Sequence, residues 1–243
     1  MHYHPERIHI ESGTPGNMEC YHWHGHVEIN LPFRDKVDYL INGRKFTIAE
    51  GHIGIFWAAN PHMLYNRHQC QEMMIAYIPI QEFLCWPLED KLFNDVLNGA
   101  TLCSRHVYKL SKDQLRQWIK DFMQQDKTLS ALVADELQIM LRRVSFYGWK
   151  TLLNAELQPE ERITRASTGL DQVQGMLDYI AHNYNTPITT KDIAKQVGLH
   201  PNYAMNQFKK VMRISIKKYI HRIRINHAKA YMDSTCFTTI NFS

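Results

Sequence analysis

The side chains able to do chemistry gather early in the chain. Nine of its 14 histidines fall within residues 1–68. In the run His22-Trp23-His24, two imidazoles are one residue apart, and Glu28 follows in phase with them. An extended strand would send all three side chains to one face. A closed barrel would bring His62 beside them on a neighbouring strand. Three imidazoles and one carboxylate suit a single divalent Zn, Ni, Fe or Mn ion. The same groups could instead hydrogen-bond a sugar in a metal-free pocket, with Trp23, Tyr39 and Trp57 as stacking faces, or be ordinary core and surface histidines. His2, His4, His9, His68 and His106 fit no such pattern, and His26 and His52 read as out of register with it.

A second constellation lies at the other end. Residues 191–243 carry ten Lys and Arg against two Asp, whereas residues 1–190 carry 18 against 22. A basic segment attached to an acidic one is the footprint of a polyanion-binding part. Within it, two short helices, Asp192–Val197 and Pro201–Val211, flank a turn at Gly198, the spacing of a helix-turn-helix. The second helix would present Asn202, Tyr203, Asn206, Gln207 and Lys210 to a major groove, where Asn and Gln amides can pair with an adenine edge. Lys209, Lys210, Arg213, Lys217 and Lys218 suit phosphates, which contribute affinity and salt dependence.

The elements that must position these residues change character along the chain. Residues 6–80 read mostly as short strands rich in Val, Ile, Phe and Tyr, with Asn42-Gly43 as the strongest hairpin signal. From about Pro87 the apolar period becomes helical. Leu110–Gln124 and Leu129–Val144 form two amphipathic helices, joined by a polar turn at Gln125–Lys127. Residues 154–169 read as a linker. Helices are expected at Leu170–Tyr184, Lys191–Val197 with Thr189 or Thr190 as cap, from Pro201, and at Ile216–Met232 with Ser215 as cap. The longest apolar run, Met73–Ile80, is too short for a bilayer, and the N-terminus has no signal-peptide core. The expectation is a soluble cytoplasmic protein. Its five scattered cysteines form neither a disulfide framework nor a thiolate metal site.

The stretch ITTKDIAKQVGLHPNYAMNQFKKVMRISIKKYIHRIRINHAKAYM resembles the first helix-turn-helix and linker helix of the AraC/XylS family of bacterial transcription regulators. Gly16-x5-His22-x-His24-x3-Glu28 is similar to the first metal motif of cupin barrels. Gly51-x5-Trp57-x-Ala59-x2-His62-x3-Asn66 is similar to the second, with Trp57 and Ala59 where proline and glycine are usual, and Asp35 where a glycine is common after the glutamate. The likeness runs from about residue 6 to residue 232. It implies an α+β chain: a cupin-like double-stranded β-helix with a helical dimerisation segment over 1–153, a linker over 154–169, and an all-α DNA-binding part over 170–243. It also implies double-stranded DNA as partner, a small effector such as an α-galactoside sugar, and a homodimer built on the two amphipathic helices. The likeness fades near Asp233, and STCFTTINFS does not resemble the family's second helix-turn-helix. Weak DNA binding is therefore expected, with dimerisation on a full-length relative as the alternative mode of action. Cupin enzymes share the histidine pattern, but a basic helix-turn-helix has no use in one.

Overall fold

The structure, a computed structural model, describes residues 7–154, 169–212 and 214–236. Within the last helix, the side chains of 226, 227 and 229–236 are not part of that description. Most of the expected linker and Arg213 lie outside the described residues. The described residues divide into two compact units, one of 8–154 and one of 169–236 together with Arg7.

The first unit is built on two antiparallel sheets. Strands β1 (His9–Gly13), β2 (His26–Pro32), β3 (Val37–Ile41), β4 (Arg44–Ile48), β5 (Gly54–Trp57), β6 (His62–Asn66) and β7 (Met73–Pro79) come first. Helices α1 (Ile80–Cys85) and α2 (Asp90–Leu97) follow, then β8 (Thr101–Ser104), α3 (Lys112–Met123), α4 (Lys127–Tyr147) and β9 (Trp149–Leu153). One sheet has the order β1-β7-β2-β5-β8-β9 and the other β4-β3-β6. The Asn42-Gly43 turn forms as expected. Both residues have positive φ (48° and 77°), the conformation that lets a two-residue turn match the strand twist, and Ile41 pairs with Arg44 across it.

β2 is buried on both faces along its whole length. Val27, Ile29 and Leu31 alternate with His26, Glu28 and Asn30, so the strand carries an apolar face and a polar face, both inside. Between the sheets packs a core of Val37, Tyr39, Phe46, Ile48, Phe56 and Leu64, among others. Helices α1 and α2 cover β2, β5, β7 and β8.

The expectation of a wholly helical segment from about 87 to 150 needs correction. β8 and β9 pair with each other and extend the first sheet, so α3 and α4 form a helical excursion between two neighbouring strands. β8 is four residues long and wholly buried, and so shows no alternation to read. Ser111 caps α3 by accepting from Gln114 N–H, and Asp126 caps α4 by accepting from Thr128 and Leu129.

The second unit is helical: α5 (Leu170–Asn183), α6 (Thr190–Gln196), α7 (Pro201–Met212) and α8 (Ile216–Cys236). Thr189 opens α6 with a reciprocal capping box to Asp192. Gly198, at φ 67°, makes the turn between α6 and α7. Ile193, Ala194, Ala204, Phe208, Val211 and Ile220 are buried in this unit, and Phe208 meets Tyr219 edge to face. No helix among the described residues is long and apolar enough to cross a membrane.

Candidate functional site

Three structural features bring the four expected ligands of the first unit together. β2 supplies Glu28. The irregular segment before it runs along the end of β5, with His24 N–H donating to Ala58 O and Ala58 N–H donating to His26 O, both at 2.9 Å. A two-residue bridge then ties His22 to His62 at the start of β6, each N–H donating to the other's carbonyl at 2.9 Å. One donor atom from each of His22, His24, Glu28 and His62 can be chosen so that all lie within 4.8 Å of one another. His22 is half-buried and the other three are buried.

Glu28 Oε1 lies 2.8 Å from His24 Nε2 and 3.1 Å from His62 Nε2, while Oε2 accepts from the Asn30 amide at 3.2 Å. Asn30 Oδ1 in turn accepts from the Tyr39 hydroxyl at 2.9 Å. His62 Nδ1 faces the Asn60 carbonyl at 2.9 Å. Burial pushes the Glu28 carboxyl up, but the charge on His62 and the hydrogen bonds from His24 and His62 prevail and hold it well below the usual range. Burial pushes His62 down, but the Glu28 charge prevails and raises it. Burial first, then the neighbouring His62, lowers His22 to about 4, and burial lowers His24. The cluster therefore pairs a carboxylate held in its charged form with one imidazole, His62, whose charged form that carboxylate favours, while burial disfavours charge on His22 and His24. A buried ion pair costs several kcal/mol of desolvation per ion, which its hydrogen bonds must offset, and groups perturbed in this way are concentrated at functional sites.

Several sequence expectations change here. Trp57 does not face the cluster. It pairs with Val27 and shares that residue's apolar face, whereas Phe56 pairs with Glu28 and places its ring 5.2 Å from His62. A shift of one residue in a strand reverses the face. Tyr39 is buried in the core between the sheets and reaches the site only through Asn30. Trp23 is exposed, between His22 and His24 in sequence. His26, read as out of register, is buried with its ring 5.0 Å from that of His24. His24, His26, Glu28 and Asn30 are all even-numbered positions, the signal that would have included His26 and Asn30. Tyr77, opposite Glu28 on β7, was also missed, and its ring lies 5.5 Å from that of His24.

In the second unit, α7 exposes Asn202, Tyr203, Met205, Asn206, Lys209 and Lys210. At 100° per residue these span a face about 160° wide. Ala204, Phe208, Val211 and Met212 are buried on the other side. Lys217 and Lys218 are exposed at the start of α8. Gln207 departs from its expected role. It is half-buried, and its Oε1 lies so close to Gly169 that a Cβ there would be 2.7 Å away. His200, in place of a hydroxyl cap, turns its Nδ1 to the Asn202 N–H at 3.4 Å. Arg224 on α8 donates to the carbonyls of Tyr184 and Thr186 at 2.7 and 2.8 Å, fixing the turn that leads into α6.

A two-sheet unit enclosing a polar cluster, followed by a basic helix-turn-helix unit, is the organisation of a ligand-responsive regulator. The chain is 38% identical over 230 residues to the melibiose operon regulatory protein of Escherichia coli K12, covering 95% of this chain and 76% of that one. The protein of the same name from E. coli O6:H1 matches equally. The lactose operon transcription activator of Staphylococcus xylosus is 34% identical over 65 residues, 27% of this chain and 23% of that one. The chain belongs to the AraC family of transcription regulators, and it is a regulator rather than an enzyme. No family profile matches it. Among solved structures, ToxT of Vibrio cholerae O395 is 10% identical with a TM-score of 0.37, covering 89% of this chain and 99% of that one, a likeness too loose to add to the assignment.

Proposed function

We propose that this regulator receives a small effector at the His22, His24, Glu28 and His62 cluster and reads double-stranded DNA through α7. The observation that carries the reading is the set of four donors, three of them buried, enclosed by the sheet unit of an AraC-family chain. On this reading the two sheets form a cupin-like double-stranded β-helix. Residues 1–153 are the sensory and dimerisation domain, 154–169 the linker and 170–243 an AraC-type DNA-binding part.

The donor set fits a divalent ion such as Zn, Ni, Fe or Mn. His22, His24 and His62 would offer nitrogens and Glu28 an oxygen, with Asn30 holding the second carboxylate oxygen in place. A bound ion would supply a fixed positive charge toward which an effector's hydroxyl oxygens orient. The His62–Asn60 contact fixes which ring nitrogen faces the site.

The name of the E. coli relative points to a sugar. An α-galactoside should raise the melting temperature of the zinc-loaded chain by several degrees at a concentration about 100-fold above its dissociation constant. A thermal-shift panel of α- and β-galactosides and glucosides checks this. A panel with no response overturns the sugar reading.

The same regulator is proposed to be a homodimer through α4. Leu132, Ile139 and Phe146 are exposed at 55%, 47% and 84% and recur every seventh residue along one side of that helix. An apolar stripe of this period fits a second copy of itself about a two-fold axis. Ile139→Asp should convert the dimer to monomer in sedimentation at tens of micromolar without lowering the melting temperature of the sheet unit. A monomeric parent chain at that concentration would contradict the proposal.

A further inference from the structure

A cavity in the sheet unit is lined by none of the residues of the histidine cluster. It is a cleft of about 430 Å³ between the last turns of α4 and the segment that follows β8. That volume lies within the range of ligand pockets, roughly 300–1,000 Å³. Its floor includes Ser104 and Val144, both buried. The rings of His106 and Tyr147 meet edge to face, with centroids 4.9 Å apart, and form a wall. Val107 adds apolar surface.

Hydrogen bonds tie down the backbone around the cleft. Tyr108 N–H donates to Gly51 O at 2.7 Å, Arg105 N–H to Gly148 O at 3.0 Å, and the Ser104 hydroxyl to His106 O at 2.8 Å. Gly51, at φ 70°, lets Val107 approach so closely that a Cβ there would lie 2.7 Å from its Cγ1. A side chain at this position would displace the loop.

Its charge is one-sided. Lys109 and Arg143 both line the cleft, and no Asp or Glu does. Neither cation forms an ion pair or hydrogen bond with a described residue. The C-terminal end of α4 presents about half a negative charge to the same space. Two full positive charges exceed it.

We propose that this cleft binds a small organic acid with a flat apolar body. Arg143 and Lys109 hold its carboxylate, the guanidinium through paired N–H donors. Tyr147, Val107 and Val144 cover its body. The site is separate from the histidine cluster and does not depend on its occupant.

The full chain titrated calorimetrically with 2-naphthoate and with neutral 2-naphthamide tests this. The acid should bind at least about tenfold tighter than the amide, and should shift the ring-proton resonances of His106. Arg143→Gln and Lys109→Gln should each weaken naphthoate binding by about fivefold or more, while His24→Ala leaves it unchanged. Both cations are exposed, so either variant should retain the parent's circular dichroism, and the two changes lie on different segments. Equal affinity for acid and amide overturns the proposal. So does the absence of naphthoate binding at several millimolar, or full affinity in both variants. Loss of binding in His24→Ala alone would move the acid to the histidine cluster and overturn the proposal equally.

Discussion

Replacing His24 with alanine should remove stoichiometric metal from this protein. In the parent chain, elemental analysis after gentle purification, or titration with zinc, should give one ion per chain. In the variant, affinity falls by on the order of 100-fold or more, since losing a ligand should exceed the 10–100-fold cost of losing a group behind one. The reason lies in the geometry: among the described residues, His24 is one of four that each offer a donor atom within 4.8 Å of the others. Glu28→Gln keeps the shape of the side chain and removes its charge, and should weaken binding comparably. The effect of pH has a definite sign. His62 has a raised pKa in the metal-free protein, so below that pKa a proton occupies the nitrogen that the ion needs. Apparent affinity then falls by up to about tenfold per pH unit as the solution becomes more acidic. His22, lowered to about 4, and His24, also lowered, are already neutral near pH 7 and add nothing to this slope there. Titrations at pH 6 and pH 8 check the sign. Metal-free protein at every pH would assign the cluster to direct hydrogen bonding of the effector.

Changes on α7 should separate affinity from sequence choice. Lys209→Ala and Lys210→Ala should weaken selected and scrambled duplexes about equally. Each should lower the slope of log affinity against log salt by about 0.9 if it removes one phosphate contact. Asn206→Ala should cost about 1–3 kcal/mol on the preferred duplex and relax the preference at one base pair. Gln207→Ala should do neither, because its side chain turns toward Gly169. Anisotropy titrations at two salt concentrations resolve all four variants. A Gln207 variant that loses base preference while Asn206→Ala keeps it would reverse the assignment.

The parts of the site that follow a simple period were legible in the sequence. His22, His24 and Glu28 are in phase, and the structure places them together with His62. The Asn42-Gly43 turn has the backbone that its residues favour, and α7 carries an apolar stripe opposite a polar face. What stayed hidden depended on packing between distant segments. Phe56 and Trp57 are adjacent aromatic residues, and only the β2–β5 register decides which of them faces Glu28. β8 is buried on every residue and pairs with β9 across two whole helices. Gln207 has the chemistry of a base reader, and only the approach of Gly169 turns it aside. The apolar period of α4 does not tell which of its residues the sheet unit covers: Leu132 is 55% exposed, in the stripe proposed above for a second subunit.

The central claim is that the inter-sheet cluster is the effector site of a protein that reads DNA by sequence. Its most direct test is the affinity of the zinc-loaded full chain for a duplex selected from a random pool, with and without an α-galactoside, beside a scrambled duplex. The account predicts at least about 100-fold preference for the selected duplex at physiological salt, a severalfold change on adding the sugar, and loss of that change, but not of the preference, in His24→Ala. Equal affinity for both duplexes would contradict the reading of α7. A sugar response that persists unchanged in His24→Ala would contradict the assignment of the effector site.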